Sequence, residues 1–243
     1  MKILILGGTG KARQLAHKVH ACGHEVITSL AGRTQAPILP DGQVRIGPFG
    51  GVAGLVTYLR EEAIERIVDA THPYAAQMSN NAVAASHETG IPLIRYMRPQ
   101  WSPQPGQVWV NVRSAEEAAD TLPEAAHVLL TTGHEGLDFY RERTDCRFLV
   151  RIIEAPIQAL PANMALIQTR PPYGLESEVA LMRDHGITHL VSKNSGDSQT
   201  EAKLAAAHMA GVQVIMIARP AYAEARELDS IEAILSALDD AGR

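Results

Sequence analysis

The stretch Lys2-Ile3-Leu4-Ile5-Leu6-Gly7-Gly8-Thr9-Gly10-Lys11 governs how the rest of the chain is read. Four consecutive bulky aliphatic residues make a strand without a polar face, so both faces of its sheet need cover. Glycines follow at once, and a helical pattern starts near Lys11, with Leu15, Val19 and Cys22 three or four residues apart. A strand that hands over to a helix through a turn free of side chains offers backbone N–H groups at a helix N-terminus, which is a phosphate cradle. Gly8 and Gly10 fit the first two glycines of GxGxxG, Arg13 stands at the third, and the P-loop pattern is missing.

Outward from this point the same grammar repeats. Glu25 to Leu30, Val44 to Ile46, Ile67 to Ala70 and Pro92 to Arg95 read as strands, with helices at about 9 to 22, 51 to 63 and 74 to 89. Alternation of buried strands with amphipathic helices predicts a doubly wound parallel sheet over residues 1–97. Arg98 to Gly106 then carries three prolines in nine residues and continues neither a helix nor a central strand. Beyond it strands at about 108–112, 127–131, 147–153, 164–168, 188–192 and 213–217 alternate with helices at about 114–121, 135–143, 174–184, 198–210 and 229–240. The expected fold class is α/β: two Rossmann-like domains, 1–97 and 98–243, with parallel sheets covered by helices and an active-site cleft between them. The final helix, 229–240, fits either domain.

Composition narrows the function by exclusion. At 243 residues, 46% hydrophobic and 20% charged, the chain has the make-up of an ordinary globular protein. Its longest uncharged stretch near the end, Leu204 to Ala218, is too short and polar to span a bilayer, and the apolar start reads as a first strand, without a signal-peptide cleavage pattern. We expect a cytoplasmic protein. A net charge of −5 argues against a general nucleic-acid binder. Cys22 and Cys146 lack metal or redox spacing, and the ten histidines show no firm ligand face, so no metal is expected.

Further strand-to-helix turns supply the candidate site. The second strand runs into Ala31-Gly32-Arg33 with no acid in reach; a guanidinium there suits a 2′-phosphate and favours NADP over NAD. Gly47-Pro48-Phe49-Gly50-Gly51 opens onto the same sheet edge and suits the nicotinamide half, though glycine would also serve a tight turn there. Asp69-Ala70-Thr71-His72-Pro73-Tyr74-Ala75 places Pro73 at a first helical position, with Thr71 or His72 as the cap. His72 and Tyr74 are able to donate a proton or orient a substrate; as capping and packing residues they would look the same. In the second half, Ser192-Lys193-Asn194-Ser195-Gly196 offers a lysine beside hydroxyl, amide and backbone donors, and Thr131-Thr132-Gly133 is a weaker example. Arg151, Arg170 and Arg219 lie near strand ends. No tyrosine has a lysine four residues on, which disfavours a short-chain reductase.

Taken in order, Gly7 to Arg13, Ala31 to Arg33, Gly47 to Gly51, the heptad 69–75, Ser192 to Gly196 with Glu201-Ala202-Lys203-Leu204, and Arg219-Pro220 resemble the precorrin-6A reductase family of cobalamin biosynthesis. The resemblance covers nearly the whole chain; a common family form has an acidic residue where this chain has Lys11. It implies reduction of one macrocycle double bond by NADPH to give precorrin-6B, with a tetrapyrrole polycarboxylate as the partner molecule. Gly8, Thr9, Gly10, Arg13, Arg33, Gly50 and Thr71 are then the cofactor residues, and His72, Tyr74, Lys193 and Ser195 the residues near substrate. The proton donor and the oligomeric state stay open, a monomer included. The competing expectation is an NADPH-binding sensor of dehydrogenase-like fold without catalysis.

Overall fold

Apolar runs bounded by glycine turns become strands in the computed structural model, which describes residues 1–32 and 37–240. The chain begins β1 (Lys2–Leu6), α1 (Gly10–Ala21), β2 (Glu25–Leu30), β3 (Gln43–Ile46), α2 (Gly51–Glu61), β4 (Arg66–Asp69), α3 (Ala76–Thr89) and β5 (Leu93–Tyr96). It continues β6 (Trp109–Val112), α4 (Ala115–Thr121), β7 (His127–Leu130), α5 (Leu137–Arg141), β8 (Arg147–Ile152) and β9 (Met164–Gln168). Then come α6 (Leu175–Asp184), β10 (His189–Lys193), α7 (Ala202–Ala210), β11 (Gln213–Ile217), β12 (Arg226–Leu228) and α8 (Ile231–Asp240). Two compact units result, one of Met1–Pro99 with Pro220–Arg243 and one of Gln100–Arg219.

In the first unit six parallel strands lie in the order β12-β5-β4-β1-β2-β3. Sequence runs outward in both directions from β1 and β4, so the turns that follow those two strands flank the topological switch point where open sheets bind ligands. One face is covered by α1, whose Ala12, Leu15, Ala16 and Val19 are buried at the i, i+3, i+4, i+7 spacing. The other face is covered by α2 and α3 through Leu55, Val56, Leu59, Ala82, Val83 and Ala85.

The expected second domain, 98–243, ends early, because the chain from Pro220 returns to the first unit. Strand β12 extends the sheet beside β5, with Arg226 opposite Ile94 and Leu228 opposite Tyr96. Helix α8 then buries Ile231, Ile234, Ala237 and Leu238 against Leu15, Val19 and Ile94. Three large aliphatic side chains buried this way contribute roughly 1.5–3 kcal/mol each. No apolar run announces β12, an Arg-Glu-Leu edge strand whose pairing is set by β5.

The second unit is again a six-stranded parallel sheet, ordered β6-β11-β10-β7-β8-β9, with its switch point between β10 and β7. Its core gathers Leu129, Leu149, Val179, Met182, Leu190, Leu204 and Met216. Two helices are shorter than the pattern predicts. The helix expected over 135–143 is the five-residue α5. That expected from 198 starts at Ala202, because Asp197 turns the chain by accepting the Gln199 N–H on Oδ1 and the Thr200 N–H on its carbonyl, both at 3.0 Å.

Candidate functional site

At the first switch point Gly7, Gly8 and Thr9 lead from β1 into α1. Gly8 has φ +106° and nothing within 4 Å of where a β-carbon would lie, so the turn is an open cradle. Gly7 is tight instead: a β-carbon there would approach Thr28 Cγ2 to 2.9 Å. Thr9 is the N-cap of α1, its Oγ1 accepting the Ala12 N–H at 3.0 Å and donating to the Ala70 carbonyl at 3.3 Å. One hydroxyl thereby ends β1's turn and ties it to the turn after β4. Gly10 is the first helical residue, where amides lack an intrahelical acceptor. Arg13, half-buried one turn on, lines a cleft of about 670 Å³ with Lys11, Leu39, Tyr96 and Asp229.

Across the switch point the heptad is held from below. Asp69 is 1% exposed and accepts the Thr71 hydroxyl at 2.7 Å and the Thr71 N–H at 3.2 Å on one oxygen. Its other oxygen accepts from Arg95 Nε at 3.4 Å. Arg95, itself buried, also donates to the Ala223 carbonyl at 3.1 Å and to Glu227 at 3.0 Å. Tyr222 donates its hydroxyl hydrogen to the Pro73 carbonyl, and its ring lies 5.0 Å from the Arg95 guanidinium. The returning segment thus fixes the turn that carries Thr71, His72 and Tyr74. Pro73 is not the first helical residue as expected: the Ala75 N–H closes a turn on the His72 carbonyl at 2.8 Å, and α3 starts at Ala76 without a side-chain cap. The two aromatic rings lie 5.7 Å apart, and His72 Nδ1 accepts the Tyr74 N–H at 3.3 Å. That bond leaves the proton of the neutral ring on Nε2.

The turn after β3 is braced by Arg45, which sequence reading missed. Its guanidinium donates to the carbonyls of Gly47 at 2.6 Å and Pro48 at 2.7 Å and lies 3.8 Å from the Phe49 ring centre. Gly50, at φ +84°, is the N-cap of α2, and Gly54 packs so closely that a β-carbon would overlap the Phe49 carbonyl. Gly50 follows β3, on the far side of β2 from the switch point. Arg33 lies outside the described residues.

In the second unit the turns after β7 and β10 face each other across its switch point. Lys193 Nζ pairs with Glu135 at 2.9 Å, and Thr131 donates both its N–H and its hydroxyl to the Val191 carbonyl, at 3.0 and 2.9 Å. Ser195 is 7% exposed and donates its N–H to the Lys193 carbonyl at 2.9 Å. Asn194 clamps Trp101 in both directions, accepting its N–H at 2.8 Å and donating to its carbonyl at 3.0 Å. The arginines singled out in the sequence are engaged within the unit. Arg151 makes a buried two-pronged bond to Glu178 at 2.9 and 2.8 Å, Arg170 pairs with Glu154 at 3.6 Å, and Arg219 donates to the Asn194 carbonyl at 2.8 Å.

This arrangement can be set beside known proteins. The family described as precorrin-6x reductase CbiJ/CobK matches residues 2–239. The chain belongs to the precorrin-6x reductase family. A precorrin-6A reductase of Rhodococcus erythropolis is 46% identical over 228 residues, 93% of this chain and 92% of that protein. One of Rhodobacter capsulatus is 40% identical over 243 residues, 99% of this chain and 97% of that one. The solved structure of CobK precorrin-6A reductase superposes with a TM-score of 0.95 at 40% identity, covering 100% of this chain and 97% of that one.

Membership in a reductase family implies a nicotinamide cofactor, and the first turn fits one: an open glycine cradle, a capped helix start and a basic side chain one turn along. Of the residues expected from sequence, Gly8, Thr9, Gly10, Thr71, His72 and Tyr74 lie on the turns beside the first unit's switch point, and Lys193 and Ser195 beside that of the second. Sequence reading missed the residues that make these turns rigid, namely Arg45, Arg95, Asn194 and Tyr222. Arg95, Asn194 and Tyr222 bond to partners 26 to 149 residues away, which no short motif records, whereas Arg45 bonds to carbonyls two and three residues on, a local brace that no motif marks.

Proposed function

We propose that the protein is an NADPH-dependent reductase that converts precorrin-6A to precorrin-6B in cobalamin biosynthesis, working in the cytoplasm. One observation carries this reading: the reductase family matches residues 2–239, so the turns at both switch points lie inside the matched region. Two relatives that match over more than nine-tenths of this chain bear the same substrate in their names.

When bound, NADPH supplies a hydride to one ring carbon of the macrocycle, and the neighbouring atom gains a proton. The protein's own contributions follow from its turns. The amides of Gly8 and Gly10, with Thr9 holding the turn shut, suit the pyrophosphate. Arg13 and Arg33 supply positive charge for the remaining phosphate, Gly50 leaves room along the sheet edge, and Thr71 is placed at the switch point by its bond to Asp69. His72, whose neutral ring carries its proton on Nε2, and Tyr74 lie beside that turn; Lys193 and Ser195 hold the corresponding places in the second unit. A polycarboxylate substrate requires such local cations despite the net charge of −5.

The test is direct. Mixing the protein with NADPH and precorrin-6A should consume NADPH in step with formation of a product heavier by two hydrogens, and NADH should serve far less well. An absence of NADPH oxidation with precorrin-6A would leave only a nucleotide-binding protein.

A further inference from the structure

Arg45, half-buried in the edge strand β3, carries a charge that no carboxylate answers among the described residues. Its guanidinium is spent on backbone instead. Nη1 donates to the Gly47 carbonyl at 2.6 Å and lies 3.4 Å from Ser29 Oγ, and Nη2 donates to the Pro48 carbonyl at 2.7 Å. The Phe49 ring centre lies 3.8 Å from the guanidinium carbon, and that of Tyr58 5.2 Å. Carbonyl dipoles and ring faces hold a cation in place without cancelling its charge. The side chain is therefore a fixed positive charge whose rotamer entropy was already lost on folding.

Its position gives that charge a use. Arg45 is the register partner of Ser29, next to last in β2, and the Gly47 N–H closes on the Leu30 carbonyl at 2.9 Å. Gly32, just past β2, has φ +75°, and a β-carbon there would come 3.3 Å from Ile46 Cγ2. The turns after β2 and β3 thus abut at the carboxyl edge of the first sheet. In dinucleotide-binding folds the end of the second strand faces the adenosine ribose, where an acid selects the bare 2′-hydroxyl and a cation accommodates a 2′-phosphate. Ile27 to Leu30, which end β2, include no acid, and Arg45 stands on the adjoining strand.

We propose that Arg45 is a specificity residue for the nucleotide, a pre-set cation that favours the 2′-phosphate of NADPH over the ribose hydroxyl of NADH. This rests on the NADPH reading above and goes beyond it, because no sequence motif marks Arg45 and its charge acts independently of Arg33. A brace alone would serve both nucleotides alike. A charge would not.

Two variants separate charge from brace: Arg45→Gln is neutral yet still able to donate to the turn, and Arg45→Lys keeps the charge but gives up the two-pronged bond. Binding of NADPH and NADH is followed by fluorescence, and that of adenosine 2′,5′-bisphosphate and 5′-AMP, which lack the nicotinamide, by calorimetry. We expect Arg45→Gln to weaken NADPH and the bisphosphate about tenfold while NADH and 5′-AMP stay within about twofold. Arg45→Lys should restore the bisphosphate to within roughly threefold of the native protein. Equal losses with and without the 2′-phosphate, an unchanged preference in Arg45→Gln, or no recovery in Arg45→Lys would each overturn the assignment. The two readings fail separately. Native protein that binds NADH as tightly as NADPH would refute the NADPH reading itself, whereas a native preference for NADPH that survives intact in Arg45→Gln would refute the role of Arg45 alone.

Discussion

Thr9 shows how much a single side chain settles here, since its hydroxyl caps α1 and bridges to the Ala70 carbonyl at once. Thr9→Val should therefore cost about 1–2 kcal/mol in urea unfolding, the size of a lost cap, and weaken NADPH binding in proportion to the loosened turn. A variant as stable as the native chain would show that the cap contributes nothing. Arg33 carries a sharper expectation: Arg33→Ala should weaken NADPH roughly ten- to a hundredfold, a charge-assisted bond's worth, and leave NADH alone. Equal losses for both nucleotides, measured by fluorescence titration, would reject its pairing with the 2′-phosphate. Lys203 makes a prediction about pH. Its folded pKa, about 8, lies below the ordinary 10.5, so between those values the unfolded chain holds the proton that the folded chain has released. Stability from this group accordingly rises with pH across that window, by on the order of 3 kcal/mol. Native protein should be less stable than Lys203→Met at pH 7 and approach it at pH 10 in denaturant titrations; a gap independent of pH would contradict the shift.

Among the elements, the heptad turn depends most on distant support. Asp69 is buried at the end of β4, and its charge is matched by Arg95 at the equivalent point of β5, where Asp69 and Arg95 are register partners. Breaking such a pair leaves a carboxylate stranded in a poorly polarisable interior, which typically costs 3–5 kcal/mol. Arg95→Leu should show that loss in urea and should expose the segment 220–228 to proteolysis, because Ala223 and Glu227 lose their shared donor. A loss under about 1 kcal/mol with the segment still protected would mean that Tyr222 and the β12 pairing suffice. The turn itself was legible from Pro73 and the apolar run before it. Its rigidity was not, because Arg95 pairs with groups 26, 128 and 132 residues away.

For the molecule as a whole, the decisive feature is the path of the last two dozen residues. Without them the first unit lacks an edge strand and exposes Leu15, Val19 and Ile94, a deficit of roughly 5–9 kcal/mol from three aliphatic side chains, comparable to a domain's entire stability. Truncation after Arg219 should therefore abolish cooperative melting of the first unit, whereas residues 100–219 alone should keep their own melting transition. Circular dichroism of the two fragments checks this, and a cooperative fold for residues 1–99 alone would contradict it. The linker that the prolines mark is anchored to the second unit by Asn194 at Trp101, which places the break between Pro99 and Gln100.

Sequence alone determined the strand and helix order, the parallel sheets and the glycine cradle, because uninterrupted apolar runs, helical spacing and glycine turns act over a few residues and need no distant partner. It also placed Gly8, Thr9, Thr71, His72, Lys193 and Ser195 at the carboxyl ends of strands, since those ends follow from the strand-to-helix order. Tertiary structure alone decided that α8 belongs to the first unit, that Arg95 and Tyr222 brace the heptad, and that Lys203 is buried beside the Trp101 ring. Each of these is a contact across long stretches of chain, selected by burial and charge pairing in three dimensions, and local pattern carries no record of it.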